Sequence, residues 1–397
     1  MSAKATMSHG NDTYTDQLHS EITEYLLSLG GKISNDYIQK LPCDGCGKNE
    51  AWTKVVDPTV IICNRKNNCG TNTHIKAIAP HLFTNWTKRY PSSKADPKAS
   101  ARAYLQSRGL DPNKFEYEQG TWKEQGKTIT TVAFSVRWTS KRWHRLLDIP
   151  KGIDGKTRWD KAEGDSYQGH AWTTGEIDSS QPLWMVEGIL EALSVQQGLG
   201  LQAAATFSAQ HIPTKFYESL DRSQEIIVAL NSDQAGQDGT HKNLEQLKKL
   251  GFNQAKVAQP PVGKDWNDLL VAGAFYEDKR GQTIETALWN GRLLRAENFK
   301  EYRKVYEEHN HGEDGQYHGL LEYRGQTWFC NTNTSKKDIE PTQTKVCDAT
   351  IRRAFTQLIE EREYNAEHRY FLRINPVGRT TRIIEASAAE LVNGNQA

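Results

Sequence analysis

The stretch Leu183-Trp184-Met185-Val186-Glu187-Gly188, followed by Ile226-Ile227-Val228-Ala229-Leu230-Asn231-Ser232-Asp233-Gln234-Ala235-Gly236, decides the fold of this chain. Both pieces are short apolar runs that stop at polar residues and glycine. Such runs mark strands buried on both faces of a parallel sheet. Polar residues at the carboxyl ends of parallel strands collect at the open edge of the sheet, where ligands bind. Glu187 and Asp233 are therefore expected at one edge, where two carboxylates can hold Mg²⁺ beside a phosphate. A third apolar piece, Ala255-Lys256-Val257-Ala258, leads into Gly263-Lys264-Asp265-Trp266-Asn267-Asp268 and adds two more carboxylates.

The pattern around these pieces alternates. Strands are expected at 183–187, 202–206, 225–230 and 255–258, with helices at 188–198, near 212–220, at 236–250 and at 266–273. Strands alternating with helices imply an α/β fold with a mostly parallel sheet.

The chain has 397 residues and six cysteines. Four of the cysteines cluster as Cys43-x2-Cys46 and Cys63-x5-Cys69. Two close thiolate pairs separated by a hairpin-length segment have the spacing of a zinc ribbon. Gly47 and Gly70 follow the second cysteine of each pair, where a tight turn needs positive φ. Residues 52–62 read as two strands around a turn. The wider second pair leaves His74 as a possible substitute ligand. Cys330 and Cys347 lack nearby partners and read as buried structural thiols.

A hydrophobic content of 37% and a charged content of 25% suit a polar, soluble chain of two or three domains. No apolar run approaches the ~20 residues that span a bilayer. The first ten residues have no apolar core like that of a signal peptide. A cytoplasmic location in a bacterial host cell is expected. The net charge of +1 is unevenly placed. Arg137, Lys141, Arg142, Arg145, Lys151, Lys156, Arg158 and Lys161 crowd one segment, interleaved with Trp138, Trp143 and Trp159. Cations with aromatics suit a nucleic-acid backbone and its bases, while a solvated hairpin with core tryptophans is the plain alternative. A helix is expected from Gln17 to Leu29, a linker at 91–97, a helix from Ala99 to Arg108 and a strand within 128–138.

The Val-Glu-Gly strand end, the Asn231-Ser232-Asp233 turn with Ala235-Gly236 behind it, and Lys264-Asp265-x-x-Asp268 together resemble the Toprim domain over about Gln181 to Ala274. That metal-binding fold is shared by DnaG-type primases, topoisomerases, RecR-like proteins and some nucleases. Asn231 departs from the pattern, which usually has Asp there. Its carbonyl can ligate a metal but carries no charge. The order of zinc ribbon, basic β-rich segment and Toprim resembles DnaG-type primases, closest in style to phage and plasmid primases and the primase part of primase–helicases. Residues 104–110 look like the start of the subdomain that precedes Toprim in those proteins.

The resemblance implies a DNA primase that makes short RNA primers on single-stranded DNA by Mg-dependent nucleotidyl transfer. It implies one structural Zn²⁺, two or more catalytic Mg²⁺ or Mn²⁺ ions, NTP substrates and a replicative helicase as partner. It assigns Asp233, Asp265, Asp268 and the neutral Asn231 as Mg ligands, and Glu187 as a ligand or general base. Cys43, Cys46, Cys63 and Cys69 hold Zn²⁺ in this reading. Lys156, Arg158, Lys161, Arg142, Arg145 and Lys264 bind triphosphate or template backbone, and Trp52 stacks on a base or serves the core. The alternatives are a Toprim nuclease and a catalytically weakened DNA-binding replication accessory.

The expected domains are a flexible N-terminus and short helix at 1–34, the ribbon at 35–90, the basic subdomain at 95–180, Toprim at 181–285 and a small α+β module at 290–397. In that module Glu285 to Tyr306 and Asp348 to Arg362 read as helices, 317–330 as hairpin strands, and 366–388 as a hairpin leading to a short helix. The module either docks a helicase or buttresses the Toprim core. No Gly-x4-Gly-Lys-Ser/Thr loop is present in this sequence.

Overall fold

The structure is a computed structural model that describes residues 15–65, 68–137, 141–160, 167–261, 264–310, 319–324, 326–330, 355–364, 367–374 and 382–387. The chain divides into two compact units, 1–291 and 292–397.

The first unit opens with helix α1 (Thr15–Ser28), whose Leu18, Ile22 and Leu26 are fully buried at helical spacing. A meander follows: β1 (Lys32–Ser34), β2 (Tyr37–Leu41), β3 (Ala51–Lys54), β4 (Val60–Cys63) and β5 (Asn72–His74), paired in that order. Two short helices, α2 (Ile75–Ile78) and α3 (Trp86–Arg89), lead to α4 (Ala99–Ser107). The expected linker at 91–97 is an ordered turn. Asp96 is buried, pairs with Arg102 and closes on Ser93. A four-stranded antiparallel sheet comes next: β6 (Glu118–Glu124), β7 (Lys127–Ser135), β8 (Arg142–Leu146) and β9 (Thr157–Trp159).

The α/β region begins with β10 (Trp172–Thr173). It continues through β11 (Leu183–Val186), α5 (Ile189–Leu199), β12 (Gln202–Ala205), α6 (Thr214–Ser219), β13 (Ile226–Val228), α7 (Gln234–Lys249), β14 (Lys256–Val257) and α8 (Trp266–Val271). The sheet order is β10-β12-β11-β13-β14, with the last four strands parallel and β10 antiparallel at the edge. Every expected strand and helix of this region is present, with ends moved by two residues at most.

Alternation along β11 shows why the run is apolar throughout. Trp184 and Val186 join the cluster shared with α5, α8, the ribbon and the antiparallel sheet. Leu183 and Met185 join the opposite cluster with Tyr217 of α6 and Leu247 of α7. Both faces are covered, so both sets of side chains must be apolar. Trp266 meets Trp184 edge-on at 5.3 Å and donates its indole N–H to Ala229 O at 2.6 Å, which seats α8 on the sheet. Asn267, fully buried, donates to Arg108 O and Ser194 Oγ, both at 2.8 Å. One amide thus ties α8, α5 and the end of α4 together.

Helix α9 (Glu277–Arg295) follows, then α10 (Phe299–Glu307), capped by Asn298. The single helix expected at 285–306 is two, because the Asn298 side chain accepts from Glu301 N and starts a new helix. The second unit also holds the hairpin β15 (Gly319–Tyr323) and β16 (Gln326–Cys330), and a three-stranded sheet of β17 (Phe355–Tyr364), β18 (Glu367–Ile374) and β19 (Arg382–Ser387). The helix expected at 348–362 is overturned. Residues 355–364 pair along the length of β18 in antiparallel register, and that pairing outweighs the helix propensity of their Glu and Arg residues. The short helix expected near 388 and Cys347 lie outside the described residues.

Candidate functional site

The ribbon carries the first metal site. The four Sγ atoms of Cys43, Cys46, Cys63 and Cys69 all lie within 4.8 Å of one another. Cys43 and Cys69 are 3.6 Å apart, and Cys46 and Cys63 are 3.9 Å apart. Sulfurs placed tetrahedrally about 2.3 Å from a zinc ion would be separated by about 3.8 Å, so the donor set fits Zn²⁺. Each pair sits on a knuckle. Gly47 N donates to Cys43 O at 2.7 Å, and Cys69 N donates to Arg65 O at 2.8 Å. Gly47 and Gly70 have φ of 67° and 59°, as their places after the second cysteines require. The five-residue gap is taken up by the turn closed on Arg65, so no substitute ligand is needed. His74 stands apart from the thiols: its Nδ1 accepts from Lys76 N at 3.0 Å and caps α2.

The second site is the carboxyl edge of the parallel sheet. Glu187 follows β11 and Asn231 follows β13. Asp233 caps α7 by accepting from Gly236 N at 2.8 Å. Gly236 is dictated by contact, since a Cβ there would lie 2.0 Å from Asn231 O. Asp265 caps α8 in a capping box with Asp268. Asn231 Nδ2 donates to Glu187 Oε2 at 3.1 Å, while its Oδ1 is buried without a hydrogen-bond partner. The Asn therefore faces Glu187 as a donor and offers its oxygen elsewhere.

Glu191, which sequence reasoning passed over, belongs to this edge. It stands one turn after Glu187 on α5, is buried, and its Oε2 has no partner. The signal was available in the second glutamate of Glu187-Gly188-Ile189-Leu190-Glu191, since residues four apart share a helix face. Burial pushes its carboxyl well up, and the charges of Asp265 and then Glu187 add to that. Burial and the Asp233 charge raise Glu187, and burial raises Asp265. The edge is thus a set of crowded oxygen donors, of which Asn231 Oδ1 and Glu191 Oε2 have no hydrogen-bond partner. That chemistry fits a hard divalent cation. No three of these carboxylates approach within the 4.8 Å that the thiols do, among the described residues.

A cavity of about 580 Å³ lies beside this edge. Lys76, Arg108, Arg145 and Lys156 line it, with Asp148 as the single carboxylate. Asp148 is engaged, accepting from Trp86 N at 2.9 Å and Thr87 N at 2.7 Å. Burial lowers the Lys76 pKa, and the neighbouring charges of Arg108, Lys156 and Arg145 lower it further. Asp268 acts on Lys76 and Arg108 on Asp265, so the cations and the acidic edge adjoin. Lys156 and Arg145 were expected at a phosphate site. Lys76 and Arg108 were not, because each lies far along the chain from the basic run.

Other expected residues are placed differently. Arg158 donates to both Glu124 oxygens, at 2.6 and 2.9 Å, and to Asp154 O, so its guanidinium serves the β6–β9 sheet. Arg142 pairs with Glu118 and, at 3.7 Å, with Asp160. Trp143 is buried against Phe134 and is a core residue. Trp52 is half-buried and meets exposed Tyr37 edge-on at 5.1 Å. Lys264 is exposed. Trp138 and Lys161 lie outside the described residues.

A family model described as Toprim-like matches residues 184–270. No curated protein matches the chain. Among solved structures, the chain is similar to the zinc-binding and RNA polymerase domains of the Aquifex aeolicus primase, at 14% identity over 74% of this chain and 91% of that one, with a TM-score of 0.40. It is also similar to a DNA primase domain from Pseudomonas aeruginosa, at 18% identity over 59% and 86% with a TM-score of 0.39. A third is the RNA polymerase domain of Mycobacterium tuberculosis primase DnaG, at 17% over 57% and 87% with a TM-score of 0.38. Among the described residues, no helix is long and apolar enough to cross a membrane. Residues 184–270 are a Toprim-like domain, set behind a four-cysteine ribbon and a four-stranded sheet in one compact unit.

Proposed function

We propose that the chain is a DNA primase that extends RNA primers on single-stranded DNA. The observation that carries this reading is the cavity of Lys76, Arg108, Arg145 and Lys156 lying against the Asp265–Asp268 end of the carboxylate edge. Four cations beside a hard-metal site suit a triphosphate whose α-phosphate faces the carboxylates. Glu187, Glu191, Asp233, Asp265 and the Asn231 oxygen would hold Mg²⁺ or Mn²⁺. When bound, the ion supplies charge neutralisation on the phosphate and lowers the pKa of the attacking hydroxyl. The cavity cations orient the triphosphate and take up charge on the leaving pyrophosphate. Glu187, half-buried with a raised pKa, would serve either as one of those metal ligands or as the base that takes the 3′-hydroxyl proton. The 3′-oxygen forms its bond to the α-phosphorus as the bond to pyrophosphate breaks. In this reading the ribbon, held by Zn²⁺, contributes to template binding, and residues from about 297 onward dock a separate replicative helicase.

Incubating the full chain with single-stranded DNA, Mg²⁺ and labelled NTPs tests the reading. Primers are expected. DNA fragments would establish a Toprim nuclease instead, and neither product would leave a binding protein.

A further inference from the structure

We propose that Trp159, Tyr167, Phe207 and His211 form a stacking site for a base of the single-stranded template, a placement that rests on the primase reading above. The four rings form one connected cluster, with Tyr167 and Phe207 each touching the other three. Trp159 and Phe207 lie 5.6 and 5.6 Å from Tyr167, and His211 lies 5.2 Å from it. They come from three separate places: the end of β9, the approach to β10, and the loop after β12. Tyr167 is 37% exposed and forms the open rim, while the other three rings are half-buried. The Trp159 indole N–H has no hydrogen-bond partner among the described residues.

The position of the cluster points to its ligand. The loop that carries Phe207 and His211 is the loop that holds Glu187. Thr206 N donates to Val186 O at 2.9 Å, and Ala209 N donates to the Glu187 carboxylate. On the other side, Trp159 shares β9 and its approach with Lys156 of the cation cavity. The rings are therefore joined through one element to the phosphate-binding cations and through another to the catalytic edge.

Phe207 has φ of +72°, a conformation that bulky side chains rarely adopt and that is strained for them. Glycine or asparagine would relieve it, so a ring kept there must serve a purpose that outweighs the cost. Burial lowers the pKa of His211 and of the adjoining His170, so the site offers neutral rings in place of a cation. Flat, uncharged rings next to a cationic track suit bases of a single strand, and they do not suit a triphosphate.

The test is anisotropy of a labelled oligodeoxythymidine with the full-length protein at fixed salt. Stacking of ~1–3 kcal/mol per base converts to a loss of about 5- to 150-fold in affinity. Tyr167→Ala and Tyr167→Leu are expected to lose affinity in that range, and Tyr167→Phe to retain it. Tyr167→Leu keeps apolar bulk without a flat ring, so weak binding with an unchanged melting temperature separates stacking from folding. An oligonucleotide with abasic sites should weaken binding of the native protein and leave that of Tyr167→Leu unaltered. Native affinity in both variants overturns the proposal. So does a loss confined to NTP binding, which would make the ligand a nucleotide in place of the template. A native protein that binds no single-stranded DNA sinks the primase reading itself, and is read before any variant is compared.

Discussion

The ribbon and the Toprim edge are both built to hold a metal, yet they are assembled in opposite ways. Four sulfurs converge within 4.8 Å from a segment of 27 residues, each pair fixed by its own knuckle hydrogen bonds. The oxygens of the Toprim edge come from two strand ends, two helix caps and the first turns of α5 and α8, and they stay apart. Neutral thiols can crowd without penalty, whereas carboxylates taken from water repel and are costly to bury. A closed sulfur set suits a resident structural ion, and an open oxygen edge suits an ion that arrives with its phosphate.

The largest expected effects are at the open edge. Asp233→Ala or Glu187→Ala should lower primer synthesis at least about 100-fold while single-stranded DNA binding stays near native. Normal synthesis by Asp233→Ala would break the contrast at once. At the closed set, Cys63→Ser should lose zinc and markedly lower the melting temperature, because metal binding there is folding free energy. Elemental analysis that finds full zinc in that variant removes the ribbon site, and Cys330→Ser should leave zinc unchanged. Asn231→Asp sharpens the comparison. It replaces a hydrogen bond to Glu187 with a further negative charge, so the metal-free protein should melt lower, and calorimetry should show Mg²⁺ binding about tenfold tighter.

His74 lies beside both regions. Burial pushes its pKa from 6.5 down to about 4, so the unfolded chain takes up the proton first. The stability it contributes is full above pH 6.5 and is lost as pH falls toward 4. His74→Asn keeps an acceptor for Lys76 N, and its melting temperature should fall less steeply over that window. The smallest effect is expected from removing residues 297–397. The fragment should stay soluble and make primers on naked DNA, but should no longer respond to a replicative helicase. A catalytically dead fragment would support a buttressing role instead.

The α/β region was legible because its signals are local. Short apolar runs that stop at acid and glycine, as at 183–188 and 226–236, mark buried strands directly, and Val186-Glu187-Gly188 alone places a strand, an edge and a helix start. The cysteine pairs were legible for the same reason. Lys76 and Arg108 were not, since nothing near them in the chain shows that α2 and α4 fold toward Lys156. The pairing of Arg158 with Glu124 was not legible either, since the two residues sit on different strands. The strand at 355–364 was hidden because its partner lies across a turn and its own residues favour helix.

Asn267 carries a consequence for recombination. Its amide binds the carbonyl of Arg108, while its neighbours in sequence, Asp265 and Asp268, lie within electrostatic reach of Arg108 and Lys76. The spacing between the cavity cations and the acidic edge is therefore held by a buried polar joint. A chimera that grafts a foreign segment onto residues 95–180 would inherit a mismatched joint. It should fold each half and still misplace the substrate by a fraction of an ångström. The two segments that this joint connects are for that reason expected to be inherited together, as one exchangeable piece.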